Sequence, residues 1–255
     1  MSRVSEASAS HVLRCYRYDQ RTFWRLPQAA FFTFALPVFM LVILSAMNGG
    51  DIDALGEAYS RYLLIGMVSF TLATSVYGSL AVRLTYRRET GIYQRLRTTP
   101  VPASALVVGQ IASAITVAAI TLTVLMSIAA VFFDAALPTN WPLFLAVVAV
   151  GSATCCALGA AVSTMVRRVE AADPIVFATM LPIAFISGTF QYVPPDSVLA
   201  RLAELFPVRH VVLATMDAFG IPGTGSLPVH FAVILAWGAV GAVVAVRRFR
   251  WAPTR

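Results

Sequence analysis

The chain has 255 residues, of which 58% are hydrophobic and 12% are charged, and its mean hydropathy is +0.77. Soluble domains carry about 45–50% apolar and about 25% charged residues, so this composition excludes an ordinary soluble protein. The formal net charge is +7, and every basic residue is arginine, because the chain contains no lysine. We attribute this positive charge to membrane topology and anionic lipid, not to nucleic-acid binding.

The first 26 residues hold five arginines and no apolar core of the length that a cleavable signal peptide needs. Residues 11–26 mix aromatic and aliphatic side chains with Arg14, Arg17, Arg21 and Arg25. This mixture predicts a helix lying in the cytosolic membrane interface. The alternative interpretation is a disordered basic tail.

Six apolar stretches follow, each near the length of about 20 residues that a helix needs to cross about 30 Å of hydrocarbon. They lie at residues 27–47, 62–82, 103–133, 141–166, 174–190 and 228–246. The sequence therefore predicts an all-α polytopic membrane protein with six transmembrane helices in a single transmembrane domain, residues 1–255. Its parts are an interfacial helix (1–26), a six-helix bundle (27–246) and a cytosolic tail (247–255).

Arginine placement predicts the orientation of the spans, because positive residues beside short loops stay in the cytosol. Sixteen of the 19 arginines fall on one side of the predicted bundle. The other side has Arg61, Arg201 and Arg209. We therefore expect both termini to be cytoplasmic.

The predicted cytosolic turn from Arg87 to Pro102 contains more than the positive residues that membrane topology requires. It combines Glu89 and Gly91 with an apolar pair at helical spacing, Ile92 and Leu96, and ends in a rigid Thr-Thr-Pro-Val-Pro sequence. The pattern predicts a short cytosolic helix that binds a soluble partner. The alternative is a basic loop with no role beyond topology.

The interiors of the six predicted spans contain no Asp, Glu or Arg. Transport coupled to a protonatable relay is therefore not expected, since such relays keep ionisable groups at mid-membrane. Hydroxyl groups that could line a cargo path are those of Thr74, Tyr77, Thr116 and Thr123. The alternative is that they bond to the backbone of their own helix or to a neighbouring helix.

A long segment, residues 191–227, connects the fifth and sixth spans on the external side. Its apolar residues at helical spacing predict an amphipathic helix. Together with the end of the fifth span, this segment could form an external gate, whose candidate residues are Pro182, Ser187, Gly188, Leu202 and Pro207. The alternative is a static cap.

The remaining reactive residues suggest neither a metal site nor a disulfide framework. Cys15 lies on the cytosolic side, Cys155 and Cys156 are adjacent within a span, and the three histidines lack metal-ligand spacing. We interpret the histidines as ordinary surface or interface residues and predict no catalytic residue and no bound metal.

Three stretches, taken in order, resemble the type-2 permeases of ATP-binding-cassette (ABC) exporters, which include drug-resistance, polysaccharide and nodulation-factor exporters. The turn matches in the residues Glu89, Gly91, Leu96, Arg97, Thr99, Pro100 and Val101. The sequences LPIAFISGTF (181–190) and LFPVRHVV (205–212) resemble the end of helix five and the element leading to helix six. Gln110 departs from the family, in which many members carry a basic residue.

The resemblance implies a permease subunit that exports a lipophilic drug, a lipid or a glycan-type cargo from the cytoplasm or inner leaflet, as in multidrug efflux. Its residues for coupling to an ATPase would be Arg88, Glu89, Gly91, Ile92, Leu96 and Arg97. The family also implies short external re-entrant helices between helices five and six. The location would be the inner membrane of a bacterial cell.

The expected partners are two ABC ATPase subunits, a second permease, identical or paralogous, and membrane lipid. A P-loop ATPase needs a lysine that reaches the phosphates, and this chain contains none. ATP and Mg²⁺ would therefore bind to the partner, and this chain would bind no cofactor. We expect no nucleic-acid partner.

Two other classes of membrane protein fit this sequence less well. A rhomboid-like intramembrane protease uses Ser in a Gly-x-Ser-Gly setting, but Ser187 is preceded by Phe185 and Ile186, so the first glycine is missing. A passive channel would not need the elaborated cytosolic turn. The permease is therefore the favoured interpretation.

Overall fold

The computed structural model describes residues 2–47, 51–52, 57–92, 103–133, 135, 137–221 and 223–248. Ten α-helices, numbered here in chain order, account for most of these residues. Their bounds are α1 Ser2–Trp24, α2 Pro27–Met47, α3 Tyr59–Leu72, α4 Ser79–Glu89, α5 Ala103–Phe132, α6 Trp141–Ser163, α7 Ala172–Ile186, α8 Val198–Ala203, α9 Pro207–Ala218 and α10 Leu227–Arg248. A two-residue antiparallel pair, β1 Asp51–Ile52 with β2 Glu57–Ala58, lies between α2 and α3.

Six helices within the described residues are long and apolar enough to cross a membrane, which agrees with the predicted number. The first span is α2, the second is α3 continued by α4, the third is α5, the fourth is α6, the fifth is α7 and the sixth is α10. The second span differs most from its predicted bounds, because its helix continues past residue 82 to Glu89. Its arginine-rich end is therefore helical.

The second span is the centre of the bundle. In its most apolar window 89% of residues are buried, whereas the corresponding share is between 17% and 39% in the other five spans. A π-helical segment, Ala73–Gly78, joins α3 to α4 in the middle of this span. π-Helical turns are rare and are often found at functional sites.

Small residues bring the helices close together within the chain. A Cβ atom at Gly159 of the fourth span would lie 2.6 Å from the Tyr77 carbonyl oxygen, and one at Gly151 would lie 2.9 Å from a Leu72 methyl carbon. A Cβ atom at Gly109 of the third span would lie 2.8 Å from the Cβ of Cys15 in α1. Gly151 and Gly159 of the fourth span thus pack on the second span of the same chain.

Two short helices, α8 and α9, precede the sixth span. Helix α9 begins with Pro207 at its first turn, where a missing N–H costs nothing, and most of its residues are buried. Helix α8 begins after Ser197, whose hydroxyl accepts from the Ala200 N–H at 3.1 Å. Its apolar residues Val198 and Leu202 are exposed, so α8 presents an apolar face outward.

Candidate functional site

The arginine-rich end of the second span is fastened to the turn between the fourth and fifth spans. Arg88 is buried and donates from Nη1 to the Ser163 carbonyl oxygen at 2.9 Å, and from Nη2 to the Val166 carbonyl oxygen. The Glu89 carboxylate accepts from the Val169 N–H at 2.7 Å. Each contact satisfies a backbone group at a helix end, so one turn of the second span holds the end of the fourth span and the start of the fifth.

Helix α4 ends immediately after these two residues. Gly91 adopts the left-handed conformation, with φ of 67°, and its N–H donates to the Arg88 carbonyl oxygen at 3.2 Å. Glycine takes this conformation without a Cβ penalty and commonly ends helices. Ile92 is half-buried, while the predicted coupling residues Leu96 and Arg97 lie outside the described residues.

A second polar cluster ties α1 to the same end of the second span. Arg87 donates from Nη2 to Asp19 Oδ1. With its amide in the orientation that satisfies both groups, Gln110 accepts from Arg87 Nε at 2.8 Å. Burial raises the pKa of the Asp19 carboxyl, and the positive charges of Arg87 and Arg83 oppose that rise. Gln110, the departure from the family pattern, is thus an internal partner of Arg87.

At the opposite end of the bundle, side chains of α3 and α9 hold the segment that follows the fifth span. The Tyr62 hydroxyl donates to the carbonyl oxygens of Gly188, at 2.5 Å, and Gln191, at 3.2 Å. Arg209 donates to the carbonyl oxygens of Ser187, at 3.3 Å, and Val193, at 3.4 Å. Gly188 has a φ of +80°, so this sharp turn is both left-handed and hydrogen-bonded from two sides.

The other predicted gate residues occupy different positions in this region. Pro182 lies within the fifth span, Pro207 is buried at the start of α9, and Leu202 of α8 is 50% exposed. The structure therefore brings Ser187 and Gly188 together with α9, whereas the side chain of Leu202 points outward. Whether this region opens is not tested by these contacts, and the gate stays a prediction.

A cavity of about 210 Å³ lies among the second, fourth, fifth and sixth spans and α9. Its lining contains Tyr77 of the π-helical segment and Thr179 of the fifth span, whose hydroxyls lie 2.7 Å apart. Among the described residues, those that line the cavity carry no charge. The cavity can therefore accept an uncharged, mainly apolar molecule.

The four residues predicted to line a cargo path are not gathered in one place. Tyr77 lines the cavity just described, and Thr74 lines a smaller one of about 60 Å³ near α1. Thr116 contacts the Tyr16 hydroxyl of α1 at 3.4 Å, and Thr123 bonds to the Ala119 carbonyl oxygen at 2.9 Å. Thr74 and Thr116 also donate to carbonyls four residues earlier, as the alternative interpretation expected.

The sequence did not reveal that two of its histidines meet. His210 of α9 and His230 of the sixth span are both buried, with their Nδ1 atoms 2.9 Å apart. Of the two interpretations, surface or interface residues, the first does not hold for this pair, because α9 packs on the sixth span and buries both side chains. Among the described residues neither histidine bonds to the Ser187 hydroxyl, so the geometry gives no support to a serine protease.

A family model described as ABC-2 type transporter matches residues 10–219. The match extends from α1 to the end of α9 and includes five of the six spans. A search of the curated proteins found no match.

Proposed function

Because the chain belongs to the ABC-2 type transporter family, we propose that it is the membrane-spanning permease subunit of an ATP-driven exporter. The family match over residues 10–219 carries this proposal. The six apolar helices agree with it, since the chain is a multi-pass membrane protein. No observation favours a protease or a passive channel.

A partner ABC ATPase supplies the energy and holds ATP and Mg²⁺. We assign its docking surface to the cytosolic turn between the second and third spans, with the coupling residues Arg88, Glu89, Gly91, Ile92, Leu96 and Arg97. The buried Arg88 acts there through its bonds to the neighbouring turn, and not by contact with the ATPase. Two points support this assignment: the turn lies within the residues that the family model covers, and its first residues are fastened to two neighbouring spans. A force on the turn would therefore act on the second, fourth and fifth spans together.

Closure of the ATPase pair tilts these spans as a nearly rigid body and opens the external side. The external gate comprises Pro182, Ser187, Gly188, Leu202 and Pro207. The hydrogen bonds from Tyr62 and Arg209 to the turn at Gly188 support this role, because they link the turn to the central span and to α9. Tilting of the second span would pull on the turn directly.

The working assembly contains two ATPases and two permeases, identical or paralogous, in the inner membrane of a bacterial cell. Both termini face the cytoplasm, and α1 lies in the cytosolic interface against lipid. The first, fifth and sixth spans leave most of their apolar windows uncovered within the chain, which supports a second permease and lipid as neighbours. The cargo is a lipophilic drug, a lipid or a glycan-type molecule, and multidrug efflux fits the uncharged cavity best.

Reconstitution of the chain with an ABC ATPase encoded beside it tests this function. We expect the two proteins to copurify, ATP hydrolysis to require the ATPase, and ATP-dependent cargo movement in vesicles to require both. A Walker-lysine variant of the ATPase is the control for hydrolysis, since that lysine contacts the phosphates. Movement of cargo at the same rate without ATP or without the ATPase would contradict the proposal and favour a channel.

A further inference from the structure

We propose that each copy of this chain binds, within its own helices, one uncharged molecule with a one- or two-ring apolar body and a single hydrogen-bonding group. The site is the cavity of about 210 Å³ among the second, fourth, fifth and sixth spans. It goes beyond the proposed transport function, because all of its lining belongs to one chain and its formation needs neither an ATPase nor a second permease.

The position of the cavity restricts its ligand to molecules that enter a membrane. Ser69, Thr154, Thr179 and Trp237 lie well inside their membrane spans, away from both ends. Thr179 is exposed at the edge of the cavity, so a molecule can approach from the side. A charged molecule at this depth would meet no opposite charge among the lining residues identified, and burying an unpaired charge is costly.

The volume and the aromatic lining indicate rings. A cavity of about 150 Å³ is enough to hold benzene, so this larger one suits a body of one or two rings. Trp237 and Phe206 stack with ring centroids 6.2 Å apart, and the Trp237 Nε1–H donates to the Leu205 carbonyl oxygen at 2.8 Å. This bond fixes the indole ring, so it offers a flat apolar wall without losing much conformational freedom on binding.

One hydroxyl group in the lining makes no hydrogen bond with the described residues. Thr154 donates to the Ile234 carbonyl oxygen at 2.9 Å, and the hydroxyls of Tyr77 and Thr179 bond to each other. Ser69 is buried, and its Oγ has no hydrogen-bond partner among the described residues. Several other buried hydroxyls share that property, but Ser69 is the one among them that lines this cavity. A buried hydroxyl without a partner is unfavourable, and a ligand with one polar group would satisfy it.

The local backbone is shaped to keep this space open. The wide π-helical turn Ala73–Gly78 supplies the lining residues Ala73 and Tyr77. Gly159 lets the Tyr77 backbone approach the fourth span, because any Cβ there would lie 2.6 Å from its carbonyl oxygen. The close backbone contact and the open side-chain space therefore lie next to each other along the second span.

Direct binding to the purified full chain in lipid nanodiscs tests the site. The probes are 6-bromo-2-naphthol, which has one hydroxyl, and 2-bromonaphthalene, which has none. The chain has four tryptophans, so replacing Trp24, Trp141 and Trp251 by Phe leaves only Trp237. A bromine atom in contact with Trp237 quenches its fluorescence. We expect saturable quenching with one bromonaphthol per chain, on top of the linear signal from probe dissolved in lipid.

Two filling substitutions from different helices, Leu158→Phe and Ile183→Phe, should each abolish the saturable component. The matched control is Leu235→Phe, an exposed position of the sixth span outside the cavity lining, which should keep it. Ser69→Ala should weaken bromonaphthol binding about fivefold, the worth of one hydrogen bond, and leave bromonaphthalene binding unchanged. In a nanodisc of dibrominated phosphatidylcholine without probe, a lipid chain in the cavity would itself quench Trp237, and the two filling variants would relieve that quenching.

Linear quenching alone, or saturable quenching that survives both filling variants, would overturn the proposal. Quenching by the brominated lipid that both filling variants relieve would also overturn it, because the occupant would then be a lipid chain. An equal effect of Ser69→Ala on both probes would remove Ser69 from the site. None of these results alters the ATPase-dependent transport expected above, so the two proposals fail separately.

Discussion

At the scale of single residues, the arginines at the end of the second span have roles that their shared positive charge does not distinguish. Arg87 pairs with Asp19 and Gln110, whereas Arg88 binds two carbonyl oxygens near the end of the fourth span. Arg83 lies over the Phe23 ring, 5.7 Å from its centroid. From the sequence, these arginines could be assigned only a role in membrane topology. In the structure their side chains bind or contact three other parts of the chain: α1, α5 and the turn after the fourth span.

We expect Arg87→Met to release α1 from the bundle, and Asp19→Asn to leave it bound. Arg87→Met leaves the buried Asp19 carboxylate without an opposite charge and without its donor, which costs about 3 kcal/mol, whereas in Asp19→Asn the Arg87 guanidinium keeps two acceptors, the Gln110 oxygen and the new amide oxygen. Asparagine can still accept from Arg87. With Cys155 and Cys156 replaced by Ala, Cys15 reports release, since it packs against Gly109. Its labelling should accelerate at least about tenfold in Arg87→Met, and equal labelling in both variants would contradict the role of the pair.

The raised pKa of Asp19 sets the pH dependence of the Arg87→Met variant. Burial favours the protonated carboxyl in the folded state, and loss of the Arg87 charge raises its pKa further. This contribution to stability is full below the ordinary pKa and is lost as pH rises through the folded-state value. Thermal unfolding of this variant should therefore occur at higher temperature near about pH 5 than near about pH 8. A flat profile would show that Asp19 is hydrated in the variant.

Gly188→Ala should destabilise the external turn more than the same change at Gly220. Both positions have left-handed backbones, with φ of +80° and +76°, so both pay about 1–2 kcal/mol of strain. A Cβ at Gly188 would also lie 2.7 Å from the Tyr62 hydroxyl and 2.8 Å from Arg209 Nη1, whereas the nearest atom at Gly220 is 3.1 Å away. Thermal unfolding measures the difference.

Tyr62→Phe in the Gly188→Ala background separates the clash from the strain. It removes the oxygen nearest to the added methyl group, so the double variant should cost less than the sum of the two single changes. Additive effects would mean that the turn shifts away from Tyr62 without difficulty.

At the scale of elements, the joint between the second span and the turn at residues 163–171 is the feature most relevant to coupling. The Glu89 carboxylate accepts from the Val169 N–H at the start of the 3₁₀ turn Val169–Ala171, next to the fifth span. Pairs of helix ends joined in this way move together, because the connecting hydrogen bonds are short and local. The sequence predicted that Glu89 matters but assigned it to a partner surface, without this internal contact.

Glu89→Ala should lower the amount of cargo moved per ATP hydrolysed, while Glu89→Gln should retain most of it, because the amide oxygen still accepts from Val169. The control is Glu170→Ala, an exposed acidic residue on the same turn. The ratio is measured in vesicles containing the chain and its ATPase, with copurification checked for each variant. A normal ratio in Glu89→Ala would place the coupling contact elsewhere on the cytosolic side.

At the scale of the whole molecule, one buried helix carries the contacts that link both ends of the bundle. The second span holds Tyr62 near the turn at Gly188, Tyr77 at the cavity and Arg88 with Glu89 at the other end. A displacement of this span would therefore change the contacts at all three places. The exposed faces of the other spans are free to contact lipid or a second permease.

The proposed orientation predicts which loops meet the outside of the cell. In a background without native cysteines, Thr224→Cys should react with a membrane-impermeant thiol reagent in intact cells, and Arg167→Cys should react only after the membrane is opened. Both positions are exposed in the structure, so access decides the result. The asymmetric placement of arginine is the physical reason for this orientation. The reverse labelling pattern would invert the bundle and move the docking surface to the wrong side.

The sequence by itself determined the number of spans, their approximate ends and the family, because these depend on local features. A helix in lipid satisfies its own backbone, so about 20 apolar residues are enough to predict it. The pattern of the turn from Arg87 to Pro102 also lies in one continuous stretch. The sequence therefore predicts a coupling role for this turn, and that role stays a prediction. The second span was predicted too short, because Arg83, Arg87 and Arg88 hide a helix end that is stabilised by partners elsewhere in the chain.

The tertiary structure alone decided which residues share a site. Three contacts join residues that lie on different helices or turns, so helical spacing in the sequence could not predict them. They are His210 with His230, Gln110 with Arg87 and Glu89 with Val169. The cavity depends on the packing of four spans and α9, and the predicted path residues Thr116 and Thr123 lie outside its lining. Helix packing in a membrane depends on shape and on small residues, so neighbours cannot be deduced from hydrophobicity, which is similar on every face of these spans.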